Sequence, residues 1–197
     1  MESLCNLILQ VDIDYEVPID LDSTNTLIVD VVEDDIFSNF IEYQQVWNYS
    51  ELIKLNNEKI YLGYPQLKII EKADSGSFDV ILFKESNGRY HKEAIHKAES
   101  IEYDIKSKRN HLELAPYFII DEDAKMRGQK VMVEIHVPIG KKVKFGKNVD
   151  RILVDVYDDF YHHQEMFTNT IWSSTIDGLN CLDCKDKRRR YHPSDSY

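Results

Sequence analysis

Val131-Met132-Val133-Glu134-Ile135-His136-Val137, followed by Pro138-Ile139-Gly140, decides the fold class of this chain. Val131, Val133, Ile135 and Val137 recur at every second position, so an extended backbone puts four β-branched side chains on one face. A proline cannot donate to a strand ladder, so Pro138 closes the run. Outward from it, Ile101-Glu102-Tyr103-Asp104-Ile105-Lys106 alternates strictly and His111-Leu112-Glu113-Leu114 briefly, which predicts half-buried strands. Leu27 to Val32, Lys59 to Leu62, Leu67 to Ile70 and Phe78 to Phe83 are denser apolar runs, which predict strands buried on both faces. Asp74-Ser75-Gly76-Ser77 and Ser107-Lys108-Arg109-Asn110 supply reversing turns.

One helix interrupts this pattern. After an expected turn at Asn87-Gly88, Tyr90, Ala94, Ala98 and Ile101 recur at helical spacing, predicting an amphipathic helix near residues 89–100 laid over a sheet. Ile36 to Leu55 has no clean period and reads as a long ordered loop anchored by Trp47 and Tyr49. Val17-Pro18-Ile19 with Leu27 to Asp35 echoes Val137-Pro138-Ile139 with Ile152 to Asp159, suggesting similar β-turn-β units in one sheet system. The expected fold is therefore mainly β: a single β-rich domain over residues 1–197, of stacked β-turn-β units, β-helix-like or a sandwich, with that one helix.

At 197 residues with 43% hydrophobic content, the chain can bury a substantial core. Net charge is -11, and the basic stretch from Lys185 onward, read as a frayed tail over 185–197, holds few of the acids, so the body is more acidic still. Such a body repels phosphate backbones, which argues against nucleic-acid binding. The start Met1-Glu2-Ser3-Leu4-Cys5 lacks a basic leader, and its apolar run is too short to span a bilayer. Membrane attachment would then come only through segments absent from this chain, leaving either a cytoplasmic protein or a portion of an anchored one. Three cysteines cannot build a disulfide scaffold at this size.

Four pieces in order carry a family resemblance. They are Ile60-Tyr61-Leu62-Gly63-Tyr64-Pro65, Gly88-Arg89 leading to Glu93-Ala94, Arg127-Gly128-Gln129-Lys130-Val131 leading to Val137-Pro138-Ile139-Gly140-Lys141-Lys142-Val143, and Trp172 before Asp177-Gly178-Leu179-Asn180-Cys181-Leu182-Asp183-Cys184. Residues 55–184 resemble the C-terminal β-rich region of bacterial envelope proteins that carry a phage-shock-protein C (PspC) domain, and are similar to adhesin-like β domains. The resemblance implies an extracytoplasmic, periplasmic-side domain that senses envelope stress through protein partners, with no catalytic residue. Neither a PspC domain nor a transmembrane helix is present in this sequence.

The residues offer little chemistry beside that. Cys181 and Cys184 could ligate zinc with His162 and His163, but the second paired motif of a zinc ribbon is missing. A redox role would need a helix N-terminus to lower the thiol pKa, and here a β-type run precedes the pair. The favoured reading is an incidental or structural pair, disulfide-bonded if extracytoplasmic. Glu33-Asp34-Asp35, Asp121-Glu122-Asp123 and Asp158-Asp159 lack the spacing of a calcium loop and read as solvated turns. No nucleophile elbow, zinc-protease helix or phosphate-cradling loop occurs, so neither catalysis nor a cofactor is expected. Tyr157, Phe160 and Tyr161, with Phe167, are the candidate interface: aromatics too many for one strand face either anchor an interface, for a protein partner or for self-association, or fold back onto the sheet as part of a loop, and the sequence leaves both readings open. The alternatives to a docking domain are a zinc-binding interaction module and an enzyme of unknown type.

Overall fold

The structure, a computed structural model, describes residues 9–19, 25–33, 53–56, 59–63, 65–73, 76–121, 124, 128–156 and 164–184. The Val131 stretch becomes β10 (Lys130–Pro138), the middle strand of a five-stranded sheet. On one side of β10 lie β6 (Asp79–Gly88) and then β1 (Leu9–Glu16), both pairings antiparallel. On the other side lie β5 (Gln66–Lys72) and β12 (Leu153–Val156), both pairings parallel. A second sheet of six strands runs β14 (Gly178–Cys181), β13 (Ile171–Thr175), β11 (Lys142–Phe145), β2 (Thr26–Val31), β8 (His111–Leu114) and β7 (Ile105–Lys108). A third sheet has β4 (Lys59–Gly63) between β3 (Ile53–Asn56) and β9 (Tyr117–Asp121). The chain is mainly β, as the alternating runs predict.

All three sheets contribute to one hydrophobic cluster, from Leu27 and Val143 in the six-stranded sheet to Ile135 and Leu67 in the five-stranded one and Ile120 in the third. The dense runs do not, however, bury both faces. Residues of β2 alternate between buried and half-buried, and β5 starts the same way. One face of each sheet meets the core, and the other has only partial cover.

The Val-Pro-Ile echo resolves differently from its sequence reading. Val17 follows β1 and Val137 ends β10, both in the five-stranded sheet, and the next strands along the chain, β2 and β11, lie side by side in the other sheet. Leu27 is in register with Val143, so β2 pairs with β11 on one side and with β8 on the other, and the counterpart of β2 in the echo is β11 and not the segment after Ile152. That segment is β12, which pairs with β5 in the other sheet. Gly140 makes the β10–β11 turn at φ +84, where an L side chain would be strained.

Further differences have local causes. β6 runs through Asn87 and Gly88 because β1 pairs with them, so no turn forms there. The helix α1 (His91–Glu99) starts after Tyr90, which holds the extended N-cap position and is 73% exposed rather than packed. Ala94 and Ala98 are the buried face, and a Cβ at Gly88 would fall 2.5 Å from the Ala94 nitrogen. Close docking of α1 therefore requires glycine at 88. The strand predicted from Ile101 begins at Ile105, because residues 101–104 leave the helix and make one isolated bridge, Glu102 to Ile119. Most of Ile36 to Leu55, with Trp47 and Tyr49, lies outside the described residues, as does the tail from Lys185.

Candidate docking surface

The Glu102–Ile119 bridge ties the third sheet to the edge of the six-stranded one, and a cleft of about 370 Å³ opens beside it. Val32, Ala115, Pro116 and Tyr117 form part of its wall, and Glu102, Asp104, Lys106 and Glu113 its rim. The rim charges are already engaged. Lys59 bridges Glu102 at 2.6 Å and Asp121 at 2.7 Å, and hydrogen bonds to those two carboxylates push its ammonium above the usual lysine range. Lys106 pairs with Asp104 at 2.7 Å, which also raises its pKa. The Tyr103 hydroxyl donates to the Ala115 carbonyl at 3.1 Å, and burial, with the Asp104 charge second, pushes the phenol well above its ordinary value. Among the described residues that line the cleft there is no serine, threonine, cysteine or histidine, and its lysine, Lys106, is held by Asp104.

The C-terminal hairpin forms where the Trp and Asp-Gly pattern places it. Ile176-Asp177 make the turn between β13 and β14, and Gly178 opens β14 at φ +110. Trp172 is buried, stacks on Phe167 with ring centroids 4.3 Å apart, and donates its indole N–H to Thr170 Oγ1 at 2.8 Å. Phe167, expected among the exposed aromatics, is 2% exposed and also meets Phe145 edge-on. The 3-10 turn Gln164–Phe167 aims it inward, so it belongs to the core. Cys181 and Cys184 are joined by a disulfide, with Cα atoms 5.8 Å apart, and pack against the core cluster. Between them Asp183 accepts the Ile171 N–H at 2.7 Å, fastening the loop to β13. A disulfide sulfur is not the thiolate that zinc takes. His162 and His163 lie outside the described residues, and no described group of three His, Cys, Asp or Glu is placed to hold a metal.

Tyr157, Phe160 and Tyr161 also lie outside the described residues, as does Asp158-Asp159, but the strand that leads to them does not. β12 is an outermost strand of the five-stranded sheet, and its Val154 is 46% exposed. Of the other acidic clusters, Glu33 accepts the Asn148 amide at 2.7 Å and Asp121 pairs with Lys59. Residues 53–187, more than half of the chain, match the family described as ToastRack found in some PspC. The chain belongs to that toast-rack family. The matched span is nearly the one that the four motif pieces cover, and it takes in β12, the disulfide and all of the cleft lining but Val32. The toast-rack domain is an accessory domain of some PspC proteins, and it is β-rich here as well. No match to the chain was found among curated proteins or among solved structures.

Two outermost strands of this toast-rack chain carry charge in alternation, and the sequence expectations did not include the first of them. Gln10, Asp12, Asp14 and Glu16 alternate with Val11, Ile13 and Tyr15, a period-two signal of a strand with an acidic outer face. Lys108 carries the alternation of Ile101 to Lys106 further along β7, so Ser107 and Lys108, expected in a turn, belong to the strand and only Arg109-Asn110 turns. Each set lies on an outermost strand, a fact that the pairing reveals and the alternation alone does not.

Proposed function

We propose that this chain is a non-catalytic sensing or docking domain of a membrane-anchored envelope protein, working on the extracytoplasmic side through protein contacts. Family membership supports the setting. The observation that carries the docking role is the exposed outer strand β12, which runs directly into the aromatic-acidic stretch from Val154 to His163. An outermost strand that, among the described residues, pairs on one side only, with aromatics next to it in the sequence, would offer a partner both main-chain hydrogen bonds and anchors.

The test is Tyr157→Ser with Phe160→Ser and Tyr161→Ser, read by photo-crosslinking from position 154 in a bacterial envelope fraction and by thermal melting. Loss of one defined crosslinked protein at unchanged melting temperature supports docking through these rings. A melting temperature lowered by several degrees with the crosslink retained would make the rings part of the core and place the docking surface elsewhere.

A further inference from the structure

β1 and β7 are the outermost strands of different sheets, and their charges are opposite. On β1, Gln10, Asp12, Asp14 and Glu16 face away from the core and are exposed. On β7, Lys106 and Lys108 do so, while Ile105 and Ser107 face inward. Among the described residues no cation pairs with Asp12, Asp14 or Glu16, and no carboxylate with Lys108. The Lys106–Asp104 pair is well exposed on both sides, and such a pair exchanges partners at little cost.

The backbone hydrogen bonds fix which residues point outward from each edge. Val17 N–H bonds to the Val80 carbonyl, so with antiparallel alternation β1 turns the backbone of residues 11, 13 and 15 toward β6. The N–H and C=O groups of Gln10, Asp12, Asp14 and Glu16 therefore point away from the sheet. Ala115 N–H bonds to the Asp104 carbonyl, so β7 turns Lys106 and Lys108 toward β8 and points the backbone of Ile105 and Ser107 outward.

These two edges fit each other in one way. In a parallel ladder a residue bonds to the neighbours of the residue opposite it, so the Asp12 backbone can bond Ile105 and Ser107 while its side chain stands beside Lys106. Asp14 then stands beside Lys108, and the core-facing sides of both strands stay on one face. Antiparallel pairing would set Asp12 and Asp14 against Ile105 and Ser107, mixing the faces. Pairing of β1 with β1, or of β7 with β7, sets like charges together, which destabilises a ladder. We propose that β1 of one copy adds in parallel to β7 of a second copy, so that the chain associates head to tail. Such a contact is heterologous and propagates into a ring or a filament, according to the rotation at each step. It does not depend on the stretch after β12.

Sedimentation velocity on the 197-residue chain tests this through charge exchange. Wild type is expected to associate with rising concentration and to dissociate in high salt. Asp12→Lys with Asp14→Lys, and separately Lys106→Asp with Lys108→Asp, are each expected to stay monomeric with wild-type circular dichroism. Mixing the two variants places basic β1 against acidic β7 and acidic β1 against basic β7, so association returns. A wild type that stays monomeric overturns the proposal, as does a folded mixture that fails to associate. Association lost on changing Tyr157, Phe160 and Tyr161 but indifferent to the charge variants also overturns it, and assigns self-contact to the β12 side.

Discussion

The Cys181–Cys184 disulfide packs against the core cluster. The bond closes a loop of sequence separation 3 that Asp183 already fastens to β13. A crosslink constrains the unfolded chain by removing loop-closure entropy, and so short a loop has little to remove. Cys181→Ser with Cys184→Ser is therefore expected to leave the fold intact and to lower stability by no more than about 2 kcal/mol in urea titration. No metal should be released from the wild type as the pair is changed, which elemental analysis of both proteins checks. Stoichiometric zinc in the wild type, absent from the double variant, would favour the interaction-module reading. Lys84 is another residue shaped by its surroundings. Burial lowers its pKa, and its ammonium donates to the Ile101 carbonyl at 2.7 Å while lying 5.2 Å from the Tyr15 ring centroid.

At the scale of elements, α1 is held by small residues, since Ala94 and Ala98 let it approach the end of β6 at Gly88. Glu93 supports the first turn by accepting the Arg89 N–H at 2.8 Å. Gly88→Ala should push α1 off β6 and cost about 2 kcal/mol, the scale of overpacking a tight contact, measured by denaturant titration. A variant as stable as wild type would mean that α1 shifts freely. The elements themselves were legible in the sequence: alternation located β10 and β8, a dense apolar run located most of β2, and four-residue spacing located α1. Their pairing was not. β5 and β6 are joined by a short turn yet separated by β10, because a strand some 60 residues later supplies the matching faces. Periodicity states which face of a strand is apolar and leaves its neighbour open. For the same reason Phe167 read as a surface aromatic, since composition does not show that a 3-10 turn points it at Trp172.

For the whole molecule, the decisive relation is between the family match and the strands that precede it. The toast-rack match starts at residue 53, so β1 and β2 fall outside it. β2 nevertheless sits between β11 and β8, parallel to both, with Leu27, Val29 and Val31 in the shared core. Without it, β11 and β8 lose their common partner and the six-stranded sheet divides, leaving apolar surface and strand edges open to water. Burial of three aliphatic side chains at about 2 kcal/mol each is comparable to the whole net stability of an ordinary domain. β1 is different, because it lies outermost and its loss leaves β6 still paired to β10. A chain starting at Ile53 is thus expected to lose its cooperative thermal transition or to aggregate, while one starting at Asn25 keeps a cooperative transition at a lower midpoint. Differential scanning calorimetry of both distinguishes the roles. A sharp transition from the shorter chain at the wild-type midpoint would show that the matched span folds by itself and that β2 is an addition to a finished domain.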